Sequence, residues 1–192
     1  VILTAEATMK RVTYKGLTFE PYIERDRISA RIKELAAQMS EDFKDDIPLF
    51  ICVLNGAFPF AADLFRELDI DAEITFIRLK SYEGTSTSGR VKEIAGLTED
   101  ITGRRVIVVE DIIDTGNTMA KLVKDLEVRN PKSISLASLL YKPESVRQDI
   151  KPDYVGFTIP SAFIIGFGLD IDGLGRNLRD IWVLSEHYDE EA

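Results

Sequence analysis

Three carboxylates lie close together in the middle of the chain, and their types and spacing indicate what chemistry it could perform. Glu110 and Asp111 follow directly on an apolar run of β-branched residues at 106–109, and Asp114 comes three residues later. A polar stretch at 115–118 then leads into an amphipathic pattern. We interpret this arrangement as a buried strand, a loop that carries acids, and a helix.

The start of the predicted helix is a natural anion site, because the first backbone amides of a helix have no partner inside it. Acids beside such a site indicate a ligand that carries both a phosphate and groups that carboxylates recognise. Those groups could be sugar hydroxyls, a metal ion or a proton. The residue types alone leave these three alternatives open.

Strands and helices alternate on both sides of this stretch. Strands are predicted at 49–54, 72–79, 106–109, 133–140, 154–159 and 181–184, with two possible short strands at 11–14 and 17–19. Helices are predicted at 24–43, 58–68 and 119–126. This alternation predicts an α/β fold with a parallel sheet and flanking helices. Ligands of such sheets bind at the carboxyl ends of the strands, which is where Glu110 and Asp111 are predicted to lie.

One segment, 82–90, is polar and has no apolar face, although it lies between two predicted core strands. A loop of this length inside a compact domain is typical of a functional lid or of a mobile connection. Of these two interpretations, we favour the lid.

The bulk composition restricts the class of protein. With 192 residues, of which 45% are hydrophobic, the chain can form one domain with its own core. Its longest apolar runs are too short to cross a bilayer, so no membrane association is predicted. A formal net charge of -9 disfavours nucleic acid as a partner, because the surface repels phosphates. The single cysteine, Cys52, is predicted to be buried and fits the reducing cytoplasm.

The run from Val108 to Thr118 closely resembles the phosphoribosyl-pyrophosphate signature of the type I phosphoribosyltransferases. Five further stretches follow the order found in the 6-oxopurine branch, the hypoxanthine–guanine phosphoribosyltransferases: 53–57, 78–82, 138–142, 151–157 and 163–170. The resemblance implies the parallel-sheet type I fold for residues 1–192 as a single domain. Its core would span about 24–160, its small hood about 1–23 and 161–192, and its mobile lid about 81–96.

The resemblance also implies a reaction. The 5-phosphoribosyl group would pass from phosphoribosyl pyrophosphate to hypoxanthine or guanine, giving IMP or GMP and pyrophosphate, with Mg²⁺ as cofactor and a homodimer or homotetramer as the assembly. Glu110 and Asp111 would bind the ribose hydroxyls and place negative charge near a sugar that becomes positive in the transition state. Asp114 would exchange a proton with N7 of the purine.

The same resemblance assigns the remaining roles by ligand group. The 5-phosphate would be bound by Asp114, Thr115, Gly116, Asn117 and Thr118; pyrophosphate by Asn55, Gly56 and Arg176; the purine by Lys142, Phe163 and Ile164; and Mg²⁺ by Asp170 with Glu110 and Asp111. Ser81 and Tyr82 would form the base of the lid. A Lys142 ammonium that donates to O6 would select oxopurines over aminopurines, because an amino group there would set donor against donor.

Two details of the match are specific to this chain. Relatives carry a basic residue where this chain has Asn55, and some carry lysine where it has Asn117. The peptide bond between Leu54 and Asn55 is expected to be cis, as in the pyrophosphate loop of the family.

A regulatory protein of the same fold, which binds phosphoribosyl pyrophosphate without catalysis, is the alternative function. The sequence favours the enzyme, because it keeps Asp114, Lys142 and Asp170, which a sensor has no need to retain. The preference among hypoxanthine, guanine and xanthine stays open.

Overall fold

The structure is a computed structural model that describes residues 11–79 and 96–185. Ser81, Tyr82 and almost all of the predicted lid lie outside the described residues, as do both ends of the chain. The elements, in chain order, are β1 (Val12–Tyr14), β2 (Leu17–Ile23), α1 (Arg25–Asp42), β3 (Leu49–Leu54), α2 (Phe58–Glu67), β4 (Glu73–Arg78), β5 (Arg105–Ile113), α3 (Asn117–Glu127), β6 (Ser133–Tyr141), β7 (Tyr154–Thr158), β8 (Ile164–Ile165) and β9 (Ile181–Leu184).

A parallel five-stranded sheet forms the centre of the molecule, with the strand order β4-β3-β5-β6-β7. Residues along β3 alternate between the two faces, as expected for a strand buried on both sides. Phe50 and Cys52 pack in the cluster that contains α1 and α2, whereas Leu49 and Ile51 pack in the cluster that contains α3. All five strands therefore end at one shared edge, the carboxyl edge, from which the loops that follow them emerge.

A second, smaller sheet is antiparallel and has the order β1-β2-β9-β8. It is made of strands from near the two ends of the chain. Phe19, Ile165 and Trp182 form its buried core, and their exposed fractions are 2% or less. This sheet holds the segment that contains Phe163 and Ile164, because β8 pairs with β9.

The helices cover the central sheet with their apolar faces. The buried positions of α1 recur every three or four residues, which is the period of one helix face: they are Ile28, Ile32, Leu35, Ala36 and Met39. Those of α3 are Met119, Leu122 and Leu126. No helix within the described residues is long and apolar enough to span a membrane.

The predicted fold class is confirmed, and three predicted boundaries were wrong. β2 does not end at Phe19 but continues to Ile23. β5 does not end at Val109 but continues through Glu110 and Asp111 to Ile113. The neighbouring strand β6 pairs with β5 as far as Tyr141. The prediction followed hydrophobicity, on which this backbone pairing does not depend. The helix α3 begins at Asn117, two residues before the predicted start, because Gly116 adopts a left-handed conformation (φ 78°) just before it.

Cys52 is fully buried in β3, as predicted, and it gives a test of the packing. Burial, with a smaller contribution from the charges of Glu110 and Asp111, raises the pKa of its thiol to about 12. Since the thiolate is the nucleophile, we expect iodoacetamide at about pH 8 to leave the folded protein unmodified and to label it in guanidinium chloride. Mass spectrometry measures the modification. Rapid labelling of the folded protein would contradict the described packing.

Candidate active site

The acids at the end of β5 differ in environment. Glu110 is buried, with an exposed fraction of 8%, whereas Asp111 is partly exposed. The backbone amide of Asp111 donates to Glu110 Oε1 (3.1 Å), and that of Ile112 donates to Asp111 Oδ1 (2.8 Å). Burial, followed by the charge of Asp111, raises the pKa of Glu110 well above its ordinary value. Full ionisation of the pair is therefore unfavourable, and a multivalent cation or a ligand with hydroxyl donors would stabilise the ionised form.

The turn after β3 lies directly against Asp111 of the Glu110–Asp111 pair. β3 and β5 are parallel neighbours, so the residues that follow Leu54 reach the carboxyl edge beside Asp111. The Leu54–Asn55 peptide bond is cis, as expected. A Cβ atom on Gly56 would lie 1.6 Å from Asp111 Oδ2, so only glycine fits at this position. The backbone of the turn thus lies in contact with the carboxylate.

A loop that follows β8 closes on the same turn from the other side. Gly168 has a φ of 102°, and a Cβ atom on it would lie 2.0 Å from the carbonyl oxygen of Gly56. Within the loop, Arg176 donates from Nη1 to the Gly168 carbonyl (2.6 Å) and forms an ion pair with Asp170 (2.7 Å). The Asp170–Arg176 pair is thereby tied to the turn through Gly168, although the two are more than a hundred residues apart in the chain.

The loop between β5 and α3 forms a cradle at the start of the helix. Gly116 precedes the helix with a positive φ, and a Cβ on it would lie 2.5 Å from Ile150 Cγ2. A cavity of about 190 Å³ opens here. Its lining includes the polar side chains of Glu110, Asp111, Asp114, Thr115 and Thr118. The cavity therefore joins the acids of β5 to the backbone of the predicted phosphate loop.

The segment after β6 braces this cradle. The backbone amide of Arg147 donates to the Thr115 carbonyl (3.0 Å), and Gln148 Nε2 donates to Asn117 Oδ1 (2.7 Å). Because Asn117 accepts this bond through its oxygen, its amide nitrogen remains available as a donor. Sequence reasoning gave Gln148 no role, and the polar composition of 143–150 offered no signal that it packs on the phosphate loop.

Lys142 and Asp114 meet at the same edge. Lys142 follows β6, and its Nζ lies 3.0 Å from Asp114 Oδ2. The lysine side chain is 8% exposed and the aspartate side chain 48%, so the pair presents its carboxylate toward solvent. The structure thus brings the predicted proton acceptor and the predicted O6 donor into direct contact, which neither position in the sequence indicated.

The other two predicted purine residues lie on the antiparallel sheet. Phe163 is 46% exposed, and its ring centroid is 5.9 Å from that of Phe19. Ile164 is buried in β8. An aromatic ring with one face on the core and the other exposed is suited to stacking on a planar ligand. Phe163 and Ile164 therefore lie on the antiparallel sheet, whereas Glu110, Asp111, Asp114 and Lys142 lie at the carboxyl edge of the parallel sheet.

Arg78 is a further side chain that sequence reasoning did not place in the site. It ends β4, pairs in register with Leu54 of β3, and donates from Nη2 to Asn55 Oδ1 (2.8 Å). Its neighbourhood depends on the order of strands in the sheet, which the sequence alone does not give.

The donor chemistry of the site fits one Mg²⁺ held jointly with a ligand. No group of three or more His, Cys, Asp and Glu that could hold a metal ion occurs in the part of the chain that the structure describes. Mg²⁺ needs no such group, since it keeps several waters and takes one or two carboxylates together with substrate phosphates. Asp170, with Oδ1 on Arg176 and Oδ2 accepting from the Gly173 amide (2.7 Å), supplies one such carboxylate.

The contact between Gly168 and Gly56 can be tested with a matched pair of glycines. Gly173 lies in the same loop and also has a positive φ, but a Cβ atom on it would meet nothing within 4 Å. We expect Gly168→Ala to lower the free energy of unfolding by about 2–5 kcal/mol, from backbone strain plus overlap. Gly173→Ala should cost about 1–2 kcal/mol, from strain alone. Urea unfolding measures both, and equal losses would refute the close approach.

The raised pKa of Glu110 gives a second test. The native protein keeps the Glu110 proton at pH values where the unfolded chain, with an ordinary pKa of 4.5, has lost it. Native protein therefore binds more protons in this window, and its free energy of unfolding falls as pH rises. Glu110→Gln removes this penalty, so its stability relative to the unmodified chain should grow from about pH 5 to about pH 8 in metal-free buffer.

Urea unfolding across that pH range measures the difference. Glu67→Gln, which removes an exposed carboxylate from the end of α2, is the control for net charge. A difference between Glu110→Gln and the unmodified chain that stays constant with pH would show that Glu110 ionises as readily in the fold as outside it.

Comparisons with known proteins agree with this arrangement. Residues 23–172 match the phosphoribosyl transferase domain family. The hypoxanthine-guanine phosphoribosyltransferase of Bacillus subtilis (strain 168) is 43% identical over 163 residues, which cover 84% of this chain and 91% of that enzyme. The hypoxanthine-guanine-xanthine phosphoribosyltransferase of Tritrichomonas foetus is 42% identical over 163 residues, which cover 84% and 89%.

The fold is shared as well. A solved structure of the Trypanosoma cruzi hypoxanthine phosphoribosyl transferase superimposes with a TM-score of 0.80 at 35% identity and covers 91% of this chain and 94% of that one. The family match spans most of the chain, and the relatives are well above 30% identical over most of their own lengths. The chain therefore belongs to the phosphoribosyltransferase family.

Proposed function

We propose that this protein transfers the 5-phosphoribosyl group from phosphoribosyl pyrophosphate to hypoxanthine or guanine, giving IMP or GMP and pyrophosphate. The observation that carries the proposal is the contact between Lys142 Nζ and Asp114 Oδ2 (3.0 Å) beside the acids of β5. O6 and N7 are adjacent on one edge of a 6-oxopurine. A cation and a carboxylate in contact can therefore bind both atoms at once, the cation at O6 and the carboxylate at N7.

The ribose is held by the end of β5. Glu110 and Asp111 accept hydrogen bonds from the ribose hydroxyls and place negative charge near C1, where positive charge develops as the bond to pyrophosphate breaks. In the free protein burial favours the neutral form of Glu110, so its negative charge develops only when Mg²⁺ or the positive sugar is present to stabilise it. The backbone of Gly56 fixes the position of the Asp111 carboxylate from behind.

The purine is held between the two sheets. Phe163 stacks on its plane, the backbone of Ile164 contacts its edge, and Lys142 donates to O6. Asp114 takes the proton from N7 as the purine nitrogen attacks C1 of the ribose, so the base does not accumulate positive charge. The preference for oxopurines follows from Lys142, whose ammonium donates only and rejects an amino group at that position.

The phosphates are held by three loops. Backbone amides of 115–118, with the hydroxyls of Thr115 and Thr118, bind the 5-phosphate at the start of α3. The Asn55–Gly56 backbone and Arg176 bind the pyrophosphate. Asp170, Glu110 and Asp111 are the carboxylates proposed for Mg²⁺, which would take one or two of them together with substrate phosphates and would neutralise phosphate charge.

The assembly, the lid and the location form the remaining part of the proposal. A homodimer or homotetramer is supported by kinship with the Trypanosoma cruzi enzyme, which was solved in work on the role of its C-terminal region in oligomeric state and activity. Ser81 and Tyr82 form the base of a lid that would shield the reacting centre from water. A cytoplasmic location is proposed because the single cysteine is a buried free thiol.

Release of pyrophosphate, measured with each purine in turn and with and without Mg²⁺, tests the function. We expect turnover with hypoxanthine and guanine that depends on Mg²⁺, and little with adenine. Xanthine, which the Tritrichomonas foetus relative is named for, defines the breadth of the pocket. Absence of turnover with every 6-oxopurine would refute the enzyme and leave the regulatory alternative.

The role of Asp114 is tested by Asp114→Asn. The amide cannot accept the N7 proton as a carboxylate does, so kcat should fall by about 100- to 10,000-fold. Binding of phosphoribosyl pyrophosphate, measured by calorimetry with Mg²⁺, should be largely retained. Asp149→Asn removes an exposed acid from the nearby 143–150 segment and serves as the control. Unchanged turnover in Asp114→Asn would assign the proton to another group.

A further inference from the structure

The Asn55–Gly56 turn carries no cation of its own, although its proposed ligand, pyrophosphate, is strongly anionic. Two other cations of the proposed site, Lys142 and Arg176, are already paired with acids. Lys142 contacts Asp114 (3.0 Å), and Arg176 contacts Asp170 (2.7 Å). Each of these pairs presents little net positive charge to a ligand. A further cation beside the turn would add to the positive charge that Arg176 and Mg²⁺ are proposed to supply.

Arg78 lies beside the turn, and no carboxylate among the described residues forms an ion pair with it. It ends β4, and the parallel register places it beside Leu54, the residue before the turn. Its Nη2 donates to Asn55 Oδ1 (2.8 Å), and this neutral amide is the hydrogen-bond partner that the described residues give it. Arg78 and Asn55 are both exposed, so the guanidinium is open to a ligand.

We propose that Arg78 is a pyrophosphate-binding residue of this chain, and that the Asn55 side chain positions it. A guanidinium has five N–H donors, and in Arg78 one of them donates to Asn55. The others form a planar fork that matches phosphate oxygens. The Asn55 carbonyl fixes the side chain over the turn, so that less rotamer freedom is lost when pyrophosphate binds. Arg78 thus supplies the charge that the Asn55 side chain lacks. This inference rests on the proposed function.

The test separates pyrophosphate binding from purine binding. In Arg78→Gln we expect the KM for phosphoribosyl pyrophosphate and the inhibition constant of inorganic pyrophosphate to rise by about tenfold, which is the loss of one charge-assisted hydrogen-bonded contact. The KM for hypoxanthine should stay the same, since the purine residues are untouched. Arg129→Gln, which removes an exposed arginine near the opposite edge of the sheet, should leave both constants unchanged.

A second variant tests whether Asn55 positions Arg78 for binding pyrophosphate. Asn55→Lys places an ammonium on the turn itself. In that background Arg78→Gln should raise the KM for phosphoribosyl pyrophosphate by less than about threefold, because the two cations serve the same ligand and their effects are not additive. Equal losses in the two backgrounds would show that Arg78 acts without reference to residue 55 and would overturn the positioning role.

Three further outcomes overturn the inference. They are an unchanged KM for phosphoribosyl pyrophosphate in Arg78→Gln, an equal rise in the KM for hypoxanthine, and a change in oligomeric state by light scattering that accounts for the loss. Turnover of the unmodified protein is measured first. Its absence refutes the proposed function and this inference together, whereas normal turnover with an unaffected Arg78→Gln variant refutes the inference alone.

Discussion

The contact between the Gly56 backbone and the Asp111 carboxylate is the constraint on which the rest of the site depends. It exists because β3 and β5 are adjacent parallel strands that end at one edge, and because residue 56 has no side chain. The carbonyl of Gly56 is in turn approached by Gly168, which brings the Asp170–Arg176 pair to the same place. Three segments distant in sequence are therefore locked together by glycines whose added Cβ atoms would overlap their neighbours.

Charge at this edge is balanced by pairing. Asp114 is paired with Lys142 and Asp170 with Arg176, while Glu110 is kept from ionising by burial and by the charge of Asp111. Such a site has little uncompensated charge before a ligand binds, and it offers both cations and acids to the ligand. Phosphates bring negative charge to the cations, and a sugar that becomes positive meets the acids. In the proposed reaction the two members of each ion pair bind groups of the substrate instead of each other.

Local features of the sequence predicted the helices and every strand except β8, whereas they did not predict the contacts between segments. Runs of β-branched residues predicted the strands, and the acids of 110–114 with the glycine that follows predicted the loop. The end of β5 was missed because backbone pairing with β6 continues past the apolar residues. The Lys142–Asp114 pair, the Arg78–Asn55 bond and the approach of Gly168 to Gly56 depend on strand order and loop closure, to which hydrophobic periodicity is blind.

A crystal structure with phosphoribosyl pyrophosphate, Mg²⁺ and an unreactive 6-oxopurine analogue is the most direct test of the account. We predict the ribose hydroxyls on Glu110 and Asp111, the pyrophosphate on the backbone of Asn55 and Gly56, and the purine with O6 on Lys142 and N7 facing Asp114. A ribose bound away from β5, or a purine whose O6 and N7 face neither member of the Lys142–Asp114 pair, would contradict it.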